Sequence, residues 1–215
     1  STRPGSIRVS ETEESERVLP FIEILSETYP ETILSIDTFY AGVAKKAVEA
    51  GASIVNDISG GNLDKNMLNT VAGLKVPYIL MHMPGDPQTM QANTAYDDVI
   101  LTVMDYMISV IRKCRDAGIH DLILDPGFGF GKNASQNISI LKKLSLFKSL
   151  GLPLLAGLSR KSTIYKTLEI QPEEALNGTT VLNTIALLNG ADILRVHDVK
   201  EAVEAVKLTE RYREA

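Results

Sequence analysis

Short apolar runs alternate along this chain with longer stretches in which hydrophobic positions recur at helical spacing. A strand-length apolar run bounded by turn residues predicts a β-strand, and the longer periodicity predicts an amphipathic helix. Six strands are expected, at Ile33 to Asp37, Ile54 to Ile58, Tyr78 to Met83, Leu122 to Asp125, Leu154 to Leu158 and Ile193 to His197. Between the third and fourth, Ile100, Val103, Met104, Met107, Ile108 and Ile111 mark one helical face, which makes the methionines core residues, and Gly118 supplies the stop. Ser10 with Glu13 predicts a capping box for the first helix, and Pro20 inside that helix predicts a break or kink. Asp198 with Glu201 predicts the cap of the last helix, with Val199, Ala202, Val203 and Val206 as its buried face.

Strand and helix alternate without a linker, so one α/β domain spanning residues 1–215 and built on a parallel sheet is expected. Open doubly wound sheets and closed (β/α)8 barrels both satisfy that alternation. The polar residues decide between them. Asp37, Asn56, His82, Asp125, Ser159, Arg160, Lys161, Arg195 and His197 fall at or just past the C-terminal ends of strands, spread over all six units. An open sheet gathers its ligand at one switch point, whereas a barrel collects catalytic residues from many strands on one face. The expected fold is a (β/α)8 TIM barrel with six of its eight strands in this chain.

The chain is organised around Leu122-Ile-Leu-Asp125-Pro-Gly-Phe128-Gly-Phe-Gly131-Lys132. Side chains alternate along a strand, so Ile123 and Asp125 share a face, and the carboxylate needs a cationic or donor-rich partner if it is buried. Pro126 ends the ladder, and three glycines permit backbone angles closed to other residues. A phosphate-binding P-loop would need a glycine where Pro126 stands and Ser or Thr where Asn133 stands; the dinucleotide fingerprint would need Gly-x-Gly-x-x-Gly. Neither fits, which leaves a shaped loop presenting aromatic rings beside a carboxylate.

Composition narrows the class. The sequence has 215 residues, is 44% hydrophobic and carries a net charge of -5, which describes a soluble domain and argues against a nucleic-acid surface. The lone Cys114 forms no internal disulfide, and no apolar run reaches membrane-spanning length, so a cytoplasmic location is expected. His82, His120 and His197 are scattered without a cysteine partner, unlike a zinc site, and no nucleophile triad appears. Carboxylate plus amide suits a flat heterocycle with an amidine edge, and Arg195 with His197, two apart at a strand end, suits a leaving phosphate. Lys161 adds a cation to the same rim. Together they suggest a transferase acting on a phosphorylated heterocycle.

With these residues in view the sequence resembles the dihydropteroate synthase family of folate biosynthesis, from Ser1 to the last helix. The likeness rests on Ser1-Thr-Arg-Pro-Gly5, Ser35-Ile-Asp-Thr38, Asn56-Asp-Ile-Ser-Gly60, Leu80-Met-His-Met83, Asp125-Pro-Gly-Phe-Gly-Phe-Gly131, Gly157-Leu-Ser-Arg-Lys161 and Arg195-Val-His197, in the family's order. It implies a sulfonamide-sensitive enzyme that joins 6-hydroxymethyl-7,8-dihydropterin pyrophosphate to p-aminobenzoate with release of pyrophosphate. It further implies that Asp37, Asn56 and Asp125 hold the pterin edge, that Ile58 and Met81 line its pocket, and that Lys161 reaches the ring while Arg195 covers its face. Arg195 and His197, with Thr2, would bind pyrophosphate; Arg3, Pro4, Phe130, Ser159 and the stem of Lys161 would form the p-aminobenzoate slot. Lys161, Arg195 and His197 are the expected catalytic residues. A homodimer through late helices and magnesium as cofactor are implied too.

The family's magnesium-binding asparagine lies on a first strand absent from these 215 residues, so no metal ligand is expected in this chain, and a natural protein with about two further strand-helix units before Ser1 is expected. A pterin-dependent methyltransferase of similar architecture would keep the carboxylates without needing the Ser159-Arg160-Lys161 and Arg195-Val-His197 pairings. A non-catalytic pterin-binding protein would not need the charged rim at all.

Overall fold

Six strands and eight α-helices are present among the described residues, 8–90 and 94–215, of the computed structural model. In chain order they are α1 (Glu11–Thr28), β1 (Ser35–Asp37), α2 (Ala41–Glu49), β2 (Ile54–Asp57), α3 (Met67–Leu74), β3 (Tyr78–Met81), α4 (Val99–Asp116), β4 (Leu122–Asp125), α5 (Ala134–Lys142), β5 (Leu155–Ala156), α6 (Ser162–Leu168), α7 (Leu176–Leu188), β6 (Ile193–Leu194) and α8 (Val199–Glu214). Each strand lies within an apolar run predicted for it. The chain forms two compact units, the first running to Thr89 and resuming over Tyr106–Ile123, the second comprising Met90–Asp105 and Leu124–Ala215.

In the first unit β1 pairs with β2 and β2 with β3, both in parallel. The register sets Asp37 beside Asn56 and Asn56 beside Ile79, so polar strand-end residues arrive side by side. Val55, Tyr78 and Leu80 are fully buried, as are Val43, Ala44 and Ala47 of α2, whose small side chains permit close approach of the helix backbone. Each large apolar side chain so buried stabilises by about 1.5–3 kcal/mol. In the second unit β5 pairs in parallel with β6, and Leu124 bridges to Leu154. Leu154, Leu144, Phe147 and Ile140 are fully buried.

Four local expectations are corrected. The break expected at Pro20 is absent, and helix α1 continues through it; Glu16 and Pro20 are both exposed, so a carbonyl deprived of its donor can bond water. Ser10 does accept from Glu13 N at 3.2 Å, but the Glu13 carboxylate pairs with Arg17, leaving the capping box half made. Asp198 occupies the N-cap of α8 without a side-chain cap bond, because its carboxylate is taken by Arg160. The buried stripe of α8 is Ala202, Ala205 and Thr209, while Val199 and Val203 are exposed. The α4 stripe is buried at Ile100, Val103, Met107 and Ile111, as the periodicity predicts.

Candidate active site

β4 ends at Asp125, and the chain leaves it through Pro126-Gly127-Phe128-Gly129-Phe130-Gly131-Lys132. Gly127, Gly129 and Gly131 take φ of 73°, 80° and 59°, the left-handed region that a β-carbon disfavours, which is why glycines alternate with aromatics here. Asn133 then caps α5 in a full capping box with Gln136. Gly127 N donates to the Asp125 carboxylate at 2.7 Å. Asp125 is 6% exposed. Burial pushes its carboxyl up, opposed by the charge of Lys161, the Gly127 bond, and the charges of Lys132 and Arg195. A buried carboxylate under the charge of three cations suits a partner that brings N–H donors.

Lys161 follows β5, at the N-cap of α6, and its ammonium donates to the carbonyl of Phe128. The same ammonium stands 4.7 Å from the centre of the Phe130 ring, a cation–π contact. An added β-carbon on Gly129 would sit 3.0 Å from Lys161 Cδ, so the glycine also clears space for the lysine stem. Arg195 continues from β6, its backbone N–H donating to Ala156 O at 3.0 Å. Ser159 Oγ lies 2.9 Å from His197 Nδ1 and accepts from His197 N at 3.2 Å. Between Ser159 and Lys161, Arg160 adopts a left-handed φ of 52°, unusual for a residue with a β-carbon. Its guanidinium donates to both Asp198 oxygens, at 2.9 and 2.7 Å, and to the carbonyls of Pro172 and Glu173. The segment after β5 is thereby tied twice to the segment after β6.

The first unit carries Asp37, Asn56, Ile58 and Met81. Asn56, Ile58 and Met81 are 9%, 3% and 2% exposed, and Asp37 is exposed at the end of β1. Asp57, fully buried beside Asn56, accepts from Ser59 N, Ser59 Oγ, Gly61 N and Tyr78 Oη, and so fixes the turn after β2. His82 is buried, its ring 4.9 Å from that of Tyr106 in a T-shaped contact. Among the described residues no group of three His, Cys, Asp or Glu side chains is arranged to hold a metal.

The structure thus gathers Asp125, Phe130, Ser159, Lys161, Arg195 and His197 within the second unit. Thr2, Arg3 and Pro4 lie outside the described residues. Sequence reasoning missed Asp57, Lys132 and the Arg160–Asp198 pair. The signals were slight: an acidic residue beside Asn56, a lysine closing the glycine run, and an aspartate next to His197.

Strand-end residues of an α/β fold carry this constellation in the second unit. The sequence profile described as "Pterin binding enzyme" matches residues 1–197, and the chain belongs to that family. Its curated relatives include the dihydropteroate synthases of Escherichia coli K12, 45% identical over 98% of this chain and 74% of that protein, and of Bacillus subtilis, 39% identical over 97% and 71%. The crystal structure of Yersinia pestis dihydropteroate synthase with a sulfonamide drug superposes with a TM-score of 0.97 at 42% identity, covering 100% of this chain and 78% of that one. The Xanthomonas albilineans dihydropteroate synthase with 4-aminobenzoic acid gives 0.93 at 39% identity, covering 100% and 77%. The function is that of a dihydropteroate synthase, a transferase, and the fold class is the TIM barrel, six of whose strands are described here.

Proposed function

We propose that this chain condenses 6-hydroxymethyl-7,8-dihydropterin pyrophosphate with p-aminobenzoate, and that the observation carrying the residue assignment is the buried Asp125 carboxylate among Lys161, Lys132 and Arg195. A pterin amidine edge presents two parallel N–H donors, the complement of an ionised carboxylate. Asp37, Asn56, Ile58 and Met81 are assigned to the same ligand on resemblance to the family. Lys161, beside Asp125 in charge and beside Phe130 in space, is assigned to the pterin ring and, through its stem, to p-aminobenzoate. Ser159 and Phe130 complete that slot, together with Arg3 and Pro4.

In the reaction the aniline nitrogen forms a bond to the pterin methylene carbon as the carbon–oxygen bond breaks. The pyrophosphate leaves with the electron pair, and the nitrogen sheds its proton to solvent. An aniline is already a free nucleophile at neutral pH, so the dominant demand is stabilisation of the departing charge. Arg195 and His197, with Thr2, are assigned to that charge. The Ser159 hydroxyl at Nδ1 orients the His197 ring. Magnesium is proposed as the companion of pyrophosphate, since it keeps several waters and binds phosphates readily. Among the described residues no group of His, Cys, Asp or Glu forms a cage for it.

A homodimer is proposed through α7 and α8, where Val181, Leu188, Leu208 and Tyr212 are exposed and a groove of about 400 Å³ runs between the helices. A cytoplasmic location is proposed as well; no described helix is long and apolar enough to cross a membrane. Calorimetric titration with dihydropterin pyrophosphate and then p-aminobenzoate tests the assignment. The expected result is p-aminobenzoate binding only after the pterin or pyrophosphate site is filled; equal binding of p-aminobenzoate to the unliganded chain overturns the shared role given to Lys161.

A further inference from the structure

Lys132 closes the glycine loop and is turned back into it. Its side chain is 4% exposed, and its ammonium donates to Gly127 O at 2.9 Å and Phe130 O at 3.0 Å. Other carbonyls of the loop accept as well: Gly127 also accepts from Phe130 N, Phe128 from Lys161, and Gly131 from Tyr96 Oη at 2.9 Å. On the other side Asn137 accepts from Gly129 N at 2.8 Å and donates to Lys132 O and Asn133 O. Lys132 is the loop's own side-chain donor among these, and it bonds the loop at two carbonyls.

A neutral side chain could bond two carbonyls at far less desolvation cost than an ammonium. The charge needs another reason. Asp125 and Lys161 are the charged groups that Lys132 faces; burial and the repulsion of Lys161 push its ammonium down, to about 7, while Asp125 pulls it up. Asp125 in turn faces Lys161, Lys132 and Arg195. We propose that Lys132 is a positioning residue for both substrates: its two carbonyl bonds keep the Phe130 ring under Lys161, and its charge keeps Asp125 ionised to receive the pterin edge. This rests on the reading of Asp125 and Phe130 given above.

Lys132→Met removes donors and charge at similar volume, and Lys132→Gln restores a donor without charge. With the Met variant, KM for p-aminobenzoate rises about ten-fold, the equivalent of one lost hydrogen bond at a buried loop, while kcat changes less. The acid limb of kcat/KM for the pterin substrate moves to higher pH in both variants, because Asp125 loses a stabilising charge. Gln recovers part of the KM and none of the limb shift. Folded variants with wild-type KM and an unmoved acid limb overturn the proposal. Should either variant fail to fold, the wild-type lysine 13Cε resonances decide it. A lysine titrating well below the solvent range and shifting on pterin binding supports the proposal; the absence of one overturns it. If Asp125→Asn leaves pterin affinity unchanged, the pterin assignment fails instead, and the two failures are distinct.

Discussion

Asp125→Asn is the sharpest test of the site. The substitution is nearly isosteric, and the amide oxygen can keep the 2.7 Å bond from Gly127 N. What changes is the other oxygen, which becomes an NH2, and the charge faced by Lys161, Lys132 and Arg195. Two charge-assisted bonds to a pterin edge become one neutral bond and one donor facing a donor. Charged hydrogen bonds contribute about 1.5–3 kcal/mol each, so pterin affinity should fall by about 2–4 kcal/mol, roughly 30- to 1000-fold in Kd. Unfolding stability should change far less, since the variant removes a buried charge whose desolvation offsets much of its attraction. Calorimetry with the pterin substrate measures the first and thermal melting the second. Wild-type affinity in a folded variant would refute the assignment of the carboxylate to the pterin edge; equal losses of affinity and stability would make it a structural anchor.

Lys161→Met keeps an apolar stem and removes the ammonium from over Phe130, so turnover should drop by more than ten-fold in kcat while p-aminobenzoate KM moves less; wild-type turnover would reduce the lysine to packing. Arg160→Met cuts four donor contacts and frees Asp198, which should lower kcat through misplaced Ser159, Lys161 and His197; Arg160→Lys should rescue little because one ammonium cannot span both carboxylate oxygens and two carbonyls. Cys114 is fully buried and its thiol is pushed up to about 12 by burial and then by the Asp57 charge, so thiol reagents at pH 8 should leave it untouched until denaturant is added. The same shift has a sign for stability. Its folded pKa lies above the ordinary 9.0, so the contribution is whole below pH 9 and is lost as pH rises towards 12. Tyr78 and Tyr106, also raised by burial, add to it from about pH 10 upward, and alkaline melts should show the decline. A flat stability curve from pH 8 to 11 would contradict these burials.

The strand positions, the helical core stripe of α4 and the chemistry of the rim follow from local pattern, because period and turn residues are properties of neighbours in the chain. Gly127, Gly129 and Gly131 announced their left-handed angles, and Asp125 its need for cations. The pairings that set the site are different in kind. Asp198 beside a helix start looks like a cap, and only the arrival of Arg160 from 38 residues away turns it into an ion-paired tie. Lys132 enters the sequence only as the end of a glycine run, and it is the backward curl of the loop that buries it against the loop's carbonyls. Of the face expected for α8, Ala202 is buried as its periodicity says, yet Val199 and Val203 are exposed and Ala205 and Thr209 are buried instead, since which side of a helix meets the core is settled by the packed neighbours. Local sequence determined where elements begin and which groups could do chemistry here; the tertiary structure decided which charges meet, because that depends on contacts between segments that share no sequence neighbourhood.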